Sequence, residues 1–123
     1  MMKLRTAMIF VADLPRMLAF YRDGLGLVPK LATATDGWVE LEAGSCLLAL
    51  HAIPAELLAT LEDLTVPPQP REDTPIKLIF ETEDLEGARA HLATCGATMG
   101  EVSSWGSCDG WDPEGNVFQI TTG

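Results

Sequence analysis

Basic residues are scarce in this chain: eight Lys and Arg stand against eighteen Asp and Glu, a net charge of −10. That balance opposes nucleic-acid binding, because phosphate contact needs clustered Lys and Arg. An acidic field can attract a cationic ligand, and it also serves solubility alone. Long apolar runs are lacking as well. No stretch reaches about 18 apolar residues, so no helix is expected to cross a membrane. Met1-Met2-Lys3-Leu4-Arg5 runs straight into strand-like sequence, without the apolar segment and small-residue cleavage site of a signal peptide. Cysteine is sparse and odd in number, with Cys46, Cys95 and Cys108 far apart. That argues against a disulfide scaffold or zinc knuckle and for reduced thiols in a cytoplasmic protein. What is present is apolar material: 47% of 123 residues, enough for one compact domain or two very small modules sharing a core.

Local patterns divide the chain. Residues 4–12 read as a strand, and Asp13 follows as a helix N-cap with Pro15 near the first helical position. Residues 15–23 are helical, with Leu18, Tyr21 and Leu25 at helix spacing and Gly24 and Gly26 as stops. Strands are expected at 27–32, 38–42 and 46–51, and a helical turn or two within 55–64. Residues 66–75 carry four prolines and read as a linker. A second series then begins: a strand at 76–83, a cap at Asp84, a helix over Leu85–Thr94 stopped by Gly96, and strands at 98–102, 104–107 and 116–121.

The two series repeat. Met8-Ile9-Phe10-Val11-Ala12-Asp13-Leu14 matches Ile79-Phe80-Glu81-Thr82-Glu83-Asp84-Leu85, with the aspartates 71 residues apart (84 − 13). The order is βαβββ twice, an α+β class. Residues 1–65 form the first module, 66–75 the linker and 76–123 the second module of one domain. Neither module is large enough to bury a sheet alone, so the two are expected to pair.

Val11-Ala12-Asp13-Leu14 followed by Phe20-Tyr21-Arg22-Asp23-Gly24-Leu25-Gly26-Leu27 resembles the first-module signature of the vicinal oxygen chelate superfamily. This group holds glyoxalases, bleomycin-resistance proteins and extradiol dioxygenases. Asp112-Pro113-Glu114-Gly115-Asn116-Val117-Phe118-Gln119 resembles its closing turn and last strand, and Trp105-Gly106 fits before that turn. The resemblance implies a curved mixed-sheet cup with helices outside, a ligand in the cup and pairing as a homodimer. Phe20, Tyr21 and the Asp112–Gly115 turn are assigned to packing and folding, since their residue types already meet those demands.

The resemblance also implies four inward metal-ligand positions. Carried over from the Asp-Leu and Asp-Pro anchors, the first falls on Thr6, the third on its repeat partner Lys77 and the fourth on Gln119. The second falls on Ala49, or on His51 if the strand slips by two residues. An ammonium has no lone pair and repels a divalent cation, and Thr6 is a poor neutral ligand. Even with His51 and Gln119 the set falls short of an ordinary site. No metal and no cofactor are expected.

Strand alternation sorts the remaining candidates. Thr6, Met8 and Phe10 share a face, as do Trp38, Glu40 and Glu42, then Leu47, Ala49 and His51, then Lys77, Ile79 and Glu81, then Val117, Gln119 and Thr121. These mixed faces are the natural cup, and the opposite, more apolar faces are the natural seats for helices. Trp38 and Trp105 are either stacking walls for a flat ligand or packing at a rim or dimer contact. Trp111 reads as packing beside the turn. His51 is either a polar contact or proton shuttle, or a satisfied strand-end histidine. Lys77 either meets a ligand anion or pairs with Glu40, Glu81 or another carboxylate. His91 reads as solvated and the cysteines as packing.

The expected function is metal-free binding of a small molecule in the cup, similar to the drug-sequestering resistance proteins. One alternative is a lyase or isomerase on the same fold with His51 or Glu40 as base. Another is a metal-dependent, glyoxalase-like or dioxygenase-type enzyme with a rearranged site.

Overall fold

Asp13 and Asp84 each start a helix by the same device. The Arg16 backbone N–H donates to Asp13 at 3.1 Å, and that of Gly87 donates to Asp84 at 3.0 Å. Each carboxylate thereby satisfies an N–H that has no partner inside its helix. A Cβ on Gly87 would overlap the Asp84 carboxylate where it now lies, so the second cap uses a side-chain position that the first, with Arg16 at the equivalent place, does not. The computed structural model describes residues 1–60 and 70–123, and the chain divides into two compact units, Met1–Glu62 and Asp63–Gly123.

The first unit contains β1 (Thr6–Val11), α1 (Leu14–Ala19), β2 (Val28–Thr35), β3 (Trp38–Ala43), β4 (Cys46–Ala52) and the short α2 (Ala55–Leu58). Its sheet has the order β1-β4-β3-β2, with β1 parallel to β4 and the other pairs antiparallel. Val11, Val39, Leu41, Leu48 and Leu50 lie on one face of that sheet, all at most 3% exposed. Buried with them are Met17, Phe20 and Tyr21. Each such side chain contributes about 1.5–3 kcal/mol by leaving water.

The second unit contains β5 (Leu78–Glu81), α3 (Leu85–Thr94), β6 (Thr98–Val102), β7 (Ser107–Trp111) and β8 (Val117–Thr121). The sheet order is β5-β8-β7-β6, again with one parallel pair, β5 with β8. Helix α3 buries Leu85 and Leu92 and packs on the sheet face that holds Cys108, Phe118 and Ile120. Gly96 ends the helical segment at φ 109, a conformation L side chains rarely adopt. Asp112 organises the turn before β8. Its Oδ1 accepts from the backbone N–H of Glu114 and of Asn116, each at 2.9 Å, and its two oxygens accept from Asn116 Nδ2.

The α+β class and the doubled βαβββ order are as expected. Two details differ. The strand expected at 104–107 is a turn: Ser103–Gly106 is closed by Ser103 and Ser107 side chains 2.9 Å apart, and the strand is Ser107–Trp111. The first helix ends at Ala19, and Phe20–Gly24 continues it as a π-helical turn. Its buried residues are Met17, Phe20 and Tyr21, while Leu18 and Leu25 are half-buried. The expected helical stretch 55–64 and linker 66–75 fall partly on residues 61–69, outside the described residues.

Candidate functional site

Each sheet has one face turned away from its helix, and the pairing registers fix who shares it. In the first unit one row across the sheet reads Met8, Ala49, Glu40, Lys30. The neighbouring rows read Phe10, His51, Trp38, Thr35 and Thr6, Leu47, Glu42, Val28. Thr6, Met8, Trp38, Glu40, Ala49 and His51 thus lie together on the open face. In the second unit Ile79, Gln119 and Asp109 form one row, beside Glu81, Thr121 and Ser107. Lys77 sits one residue before β5.

The open face is polar at a few points and apolar at many. Met8 and Phe10 are 42% and 52% exposed, and Ile79 is 59% exposed. His51 lies between two aromatic rings, Phe10 at 5.4 Å and Trp38 at 5.7 Å between centroids, the latter edge-on. Glu40 is buried, and its Oε1 accepts from the Thr33 hydroxyl at 2.9 Å. Trp105 does not belong to either face. It stands 80% exposed in the turn between β6 and β7.

Lys77 has a carboxylate partner, and it is neither Glu40 nor Glu81. Its Nζ lies 3.2 Å from Asp109 Oδ2. Asp109 is on β7, so the lysine reaches over β8 at the level of Val117 and Gln119. Sequence reasoning missed Asp109, because 32 residues separate the partners and the strand that carries it was placed too early. It also missed Trp111, which alternation along β7 puts on the face of Asp109, opposite Val117. Lys30 was missed too, since only the β2–β3 register brings it opposite Glu40.

The registers also decide between Ala49 and His51. Met8 pairs with Ala49 and Ile79 with Gln119, and the first members of these pairs are 71 residues apart (79 − 8). Ala49 is therefore the repeat-equivalent of Gln119, and His51 that of Thr121. The four positions marked for metal donors hold Thr6, Ala49, Lys77 and Gln119. A methyl group offers no lone pair, and the ammonium is a cation already held by Asp109. These residues do not fit a divalent metal. Among the described residues, no three His, Cys, Asp or Glu side chains gather as a metal cluster elsewhere.

Of the three thiols, Cys108 is buried, and Cys46 and Cys95 are half-buried. Burial pushes the Cys108 thiol up, against the opposing effect of nearby Arg89. A protonated, enclosed thiol is a packing group and not a nucleophile. No helix among the described residues is long and apolar enough to cross a membrane.

Residues 6–121 match the profile of a family described as a glyoxalase-like domain. No curated protein matches the chain. Among solved structures, it is similar to a glyoxalase/bleomycin resistance protein/dioxygenase family enzyme from Burkholderia phytofirmans PsJN. The identity is 22%, the TM-score 0.73, and 98% of each chain is covered. It is similar to the fosfomycin resistance protein FosX from Mesorhizobium loti at 14% identity and TM-score 0.68, covering 99% of this chain and 91% of that one. It is also similar to the bleomycin-binding protein of bleomycin-producing Streptomyces verticillus, solved with copper(II)-bleomycin. There the identity is 17% and the TM-score 0.62, covering 100% of this chain and 98% of that one. At these identities the likeness is one of fold.

Proposed function

The chain belongs to the glyoxalase-like domain family, and on that premise we propose that it binds a small organic molecule on an open sheet face without a metal ion. The observation that carries this reading is the donor set at the family's metal positions: Thr6, Ala49 and Gln119, with Lys77 engaged by Asp109 at 3.2 Å. A site that cannot polarise a substrate through a metal retains binding by shape, apolar contact and a few polar groups. On the face of the first unit, Met8, Trp38 and His51 supply the apolar and aromatic surface in this reading and Thr6 and Glu40 the polar contacts; on that of the second, Ile79 is the apolar surface and Lys77 and Gln119 the polar contacts. The bleomycin-binding neighbour, a protein named for holding its ligand, supports the same use of the fold. Trp105, exposed on its turn, joins the ligand contacts only as a rim residue.

The protein acts as a homodimer in this reading. Edge strand β2 exposes Val28 and Leu31, an apolar edge of the kind a second copy covers. A monomeric mass by light scattering at micromolar concentration would refute the dimer. The binding itself is tested by native mass spectrometry of the purified protein. A co-purified organic mass released on denaturation is the expected result. Metal-dependent turnover with a stoichiometric bound cation would overturn the reading.

A further inference from the structure

We propose that the open face of the first unit selects a flat organic cation, with Glu40 holding its positive group and the Trp38–His51–Phe10 row meeting its ring. This rests on the small-molecule reading and names the ligand class. Glu40 carries the argument. It is only 6% exposed, yet its sole side-chain partner among the described residues is the Thr33 hydroxyl on Oε1. No cation forms an ion pair with it among those residues, although Lys30 stands directly opposite on β2. A carboxylate that has given up most of its water without a cationic partner gains more from a cation than an exposed one does.

Ala49, beside Glu40 on β4, offers only a methyl and is itself fully buried, so a cation that reaches Glu40 must displace the side chains that cover this row. Trp38 is two residues along the same strand, about 6.6 Å away by strand repeat. A charged group on Glu40 therefore brings a ring of ordinary size over Trp38 and toward His51. An indole face adds its own attraction for a cation. At the competing anion site, the Lys77 ammonium already has the Asp109 carboxylate beside it at 3.2 Å. The net charge of −10 favours approach of the same class of ligand.

The test compares three flat tricyclic probes of similar size at neutral pH by tryptophan quenching: proflavine as the cation, acridine as the uncharged ring and anthracene-2-carboxylate as the anion. The expected order is proflavine at least tenfold tighter than acridine, with the anion weakest, on the scale of one charge-assisted hydrogen bond. Glu40→Gln should erase the proflavine advantage while moving acridine by less than about twofold, and Trp38→Leu should weaken both. Thermal melting of each variant checks that it is folded, and the order of the three probes on the unaltered protein needs no variant. Equal binding of proflavine and acridine, or a preference that survives Glu40→Gln, overturns the cation proposal and leaves small-molecule binding standing. Binding of none of the three also overturns it, and the mass-spectrometric search for a co-purified ligand then judges the broader reading by itself.

Discussion

The Lys77 ammonium and the Asp109 carboxylate lie 3.2 Å apart across β8, both about half open to solvent. Exposure decides what this pair is worth. A screened pair with two flexible side chains contributes about 0–1 kcal/mol. Lys77→Met and Asp109→Asn should each lower stability by no more than about 1 kcal/mol in urea unfolding, with a coupling energy below that. A loss above about 3 kcal/mol for either change would mean a desolvated pair instead.

The same lysine stands where a metal donor would be needed. Purified protein dialysed against a metal-free buffer should hold no stoichiometric Zn, Ni, Fe or Mn by elemental analysis. One bound ion per chain would refute the assignment of Thr6, Ala49 and Lys77 to those positions, since a true site holds metal tightly.

Asp112 is 1% exposed and receives backbone N–H groups from Glu114 and Asn116 as well as the Asn116 side chain. Asp112→Ala leaves those donors buried without an acceptor. The expected loss is about 2–4 kcal/mol, several times that of an ordinary surface change. Chemical unfolding measures it, and a loss under about 1 kcal/mol would show that the turn closes without the aspartate.

The paired caps make a sharper test at Gly87. Asp13→Ala and Asp84→Ala should each cost about 1 kcal/mol. Gly→Ala inside a helix ordinarily stabilises by about 0.5–1 kcal/mol. Here the new methyl would push the Asp84 carboxylate out of its present position, so Gly87→Ala should gain less than that. The full gain of about 0.5–1 kcal/mol in chemical unfolding would show that the carboxylate readjusts at no cost.

Thiol labelling at neutral pH should modify Cys46 and Cys95 well before Cys108, which reacts on unfolding. Because burial raises the Cys108 pKa, the folded protein keeps that proton to higher pH than the unfolded chain. Its contribution to stability is full below about 8.5, the free thiol value, and falls as pH rises through the folded value. Cys108→Ala should flatten that alkaline decline. An unchanged alkaline slope would assign the decline to other groups.

Much of the fold was legible because its punctuation is local. Asp84 and Gly96 bound α3 as Leu85–Thr94, as the sequence predicts. The repeat of Asp13 in Asp84 fixed the order of elements. What escaped was set by neighbours distant in sequence. Ser107–Trp111 contains Asp109 and Gly110, poor strand formers, and it is a strand because β6 and β8 flank it on both sides. Trp105 drew the expected strand too early, since an aromatic residue reads as a strand former even in a turn. The faces of the strands were legible through alternation, but the neighbours across strands were not. Nothing local links Lys77 to Asp109, or sets Lys30 opposite Glu40. Only strand pairing does.

In both units the first strand finds its parallel partner last. Thr6 lies opposite Leu47 and Leu78 opposite Phe118, while the antiparallel strands between them meet their neighbours through short turns. Closing a loop of about forty residues costs more entropy than closing a hairpin. The three-stranded meanders β2–β4 and β6–β8 are thus the natural early structures, with β1 and β5 docking onto them afterwards. A newly made first unit cannot complete its sheet until β4 has been synthesised. Until then β1, with Met8 and Phe10 uncovered, is an unpaired strand of the kind that aggregates.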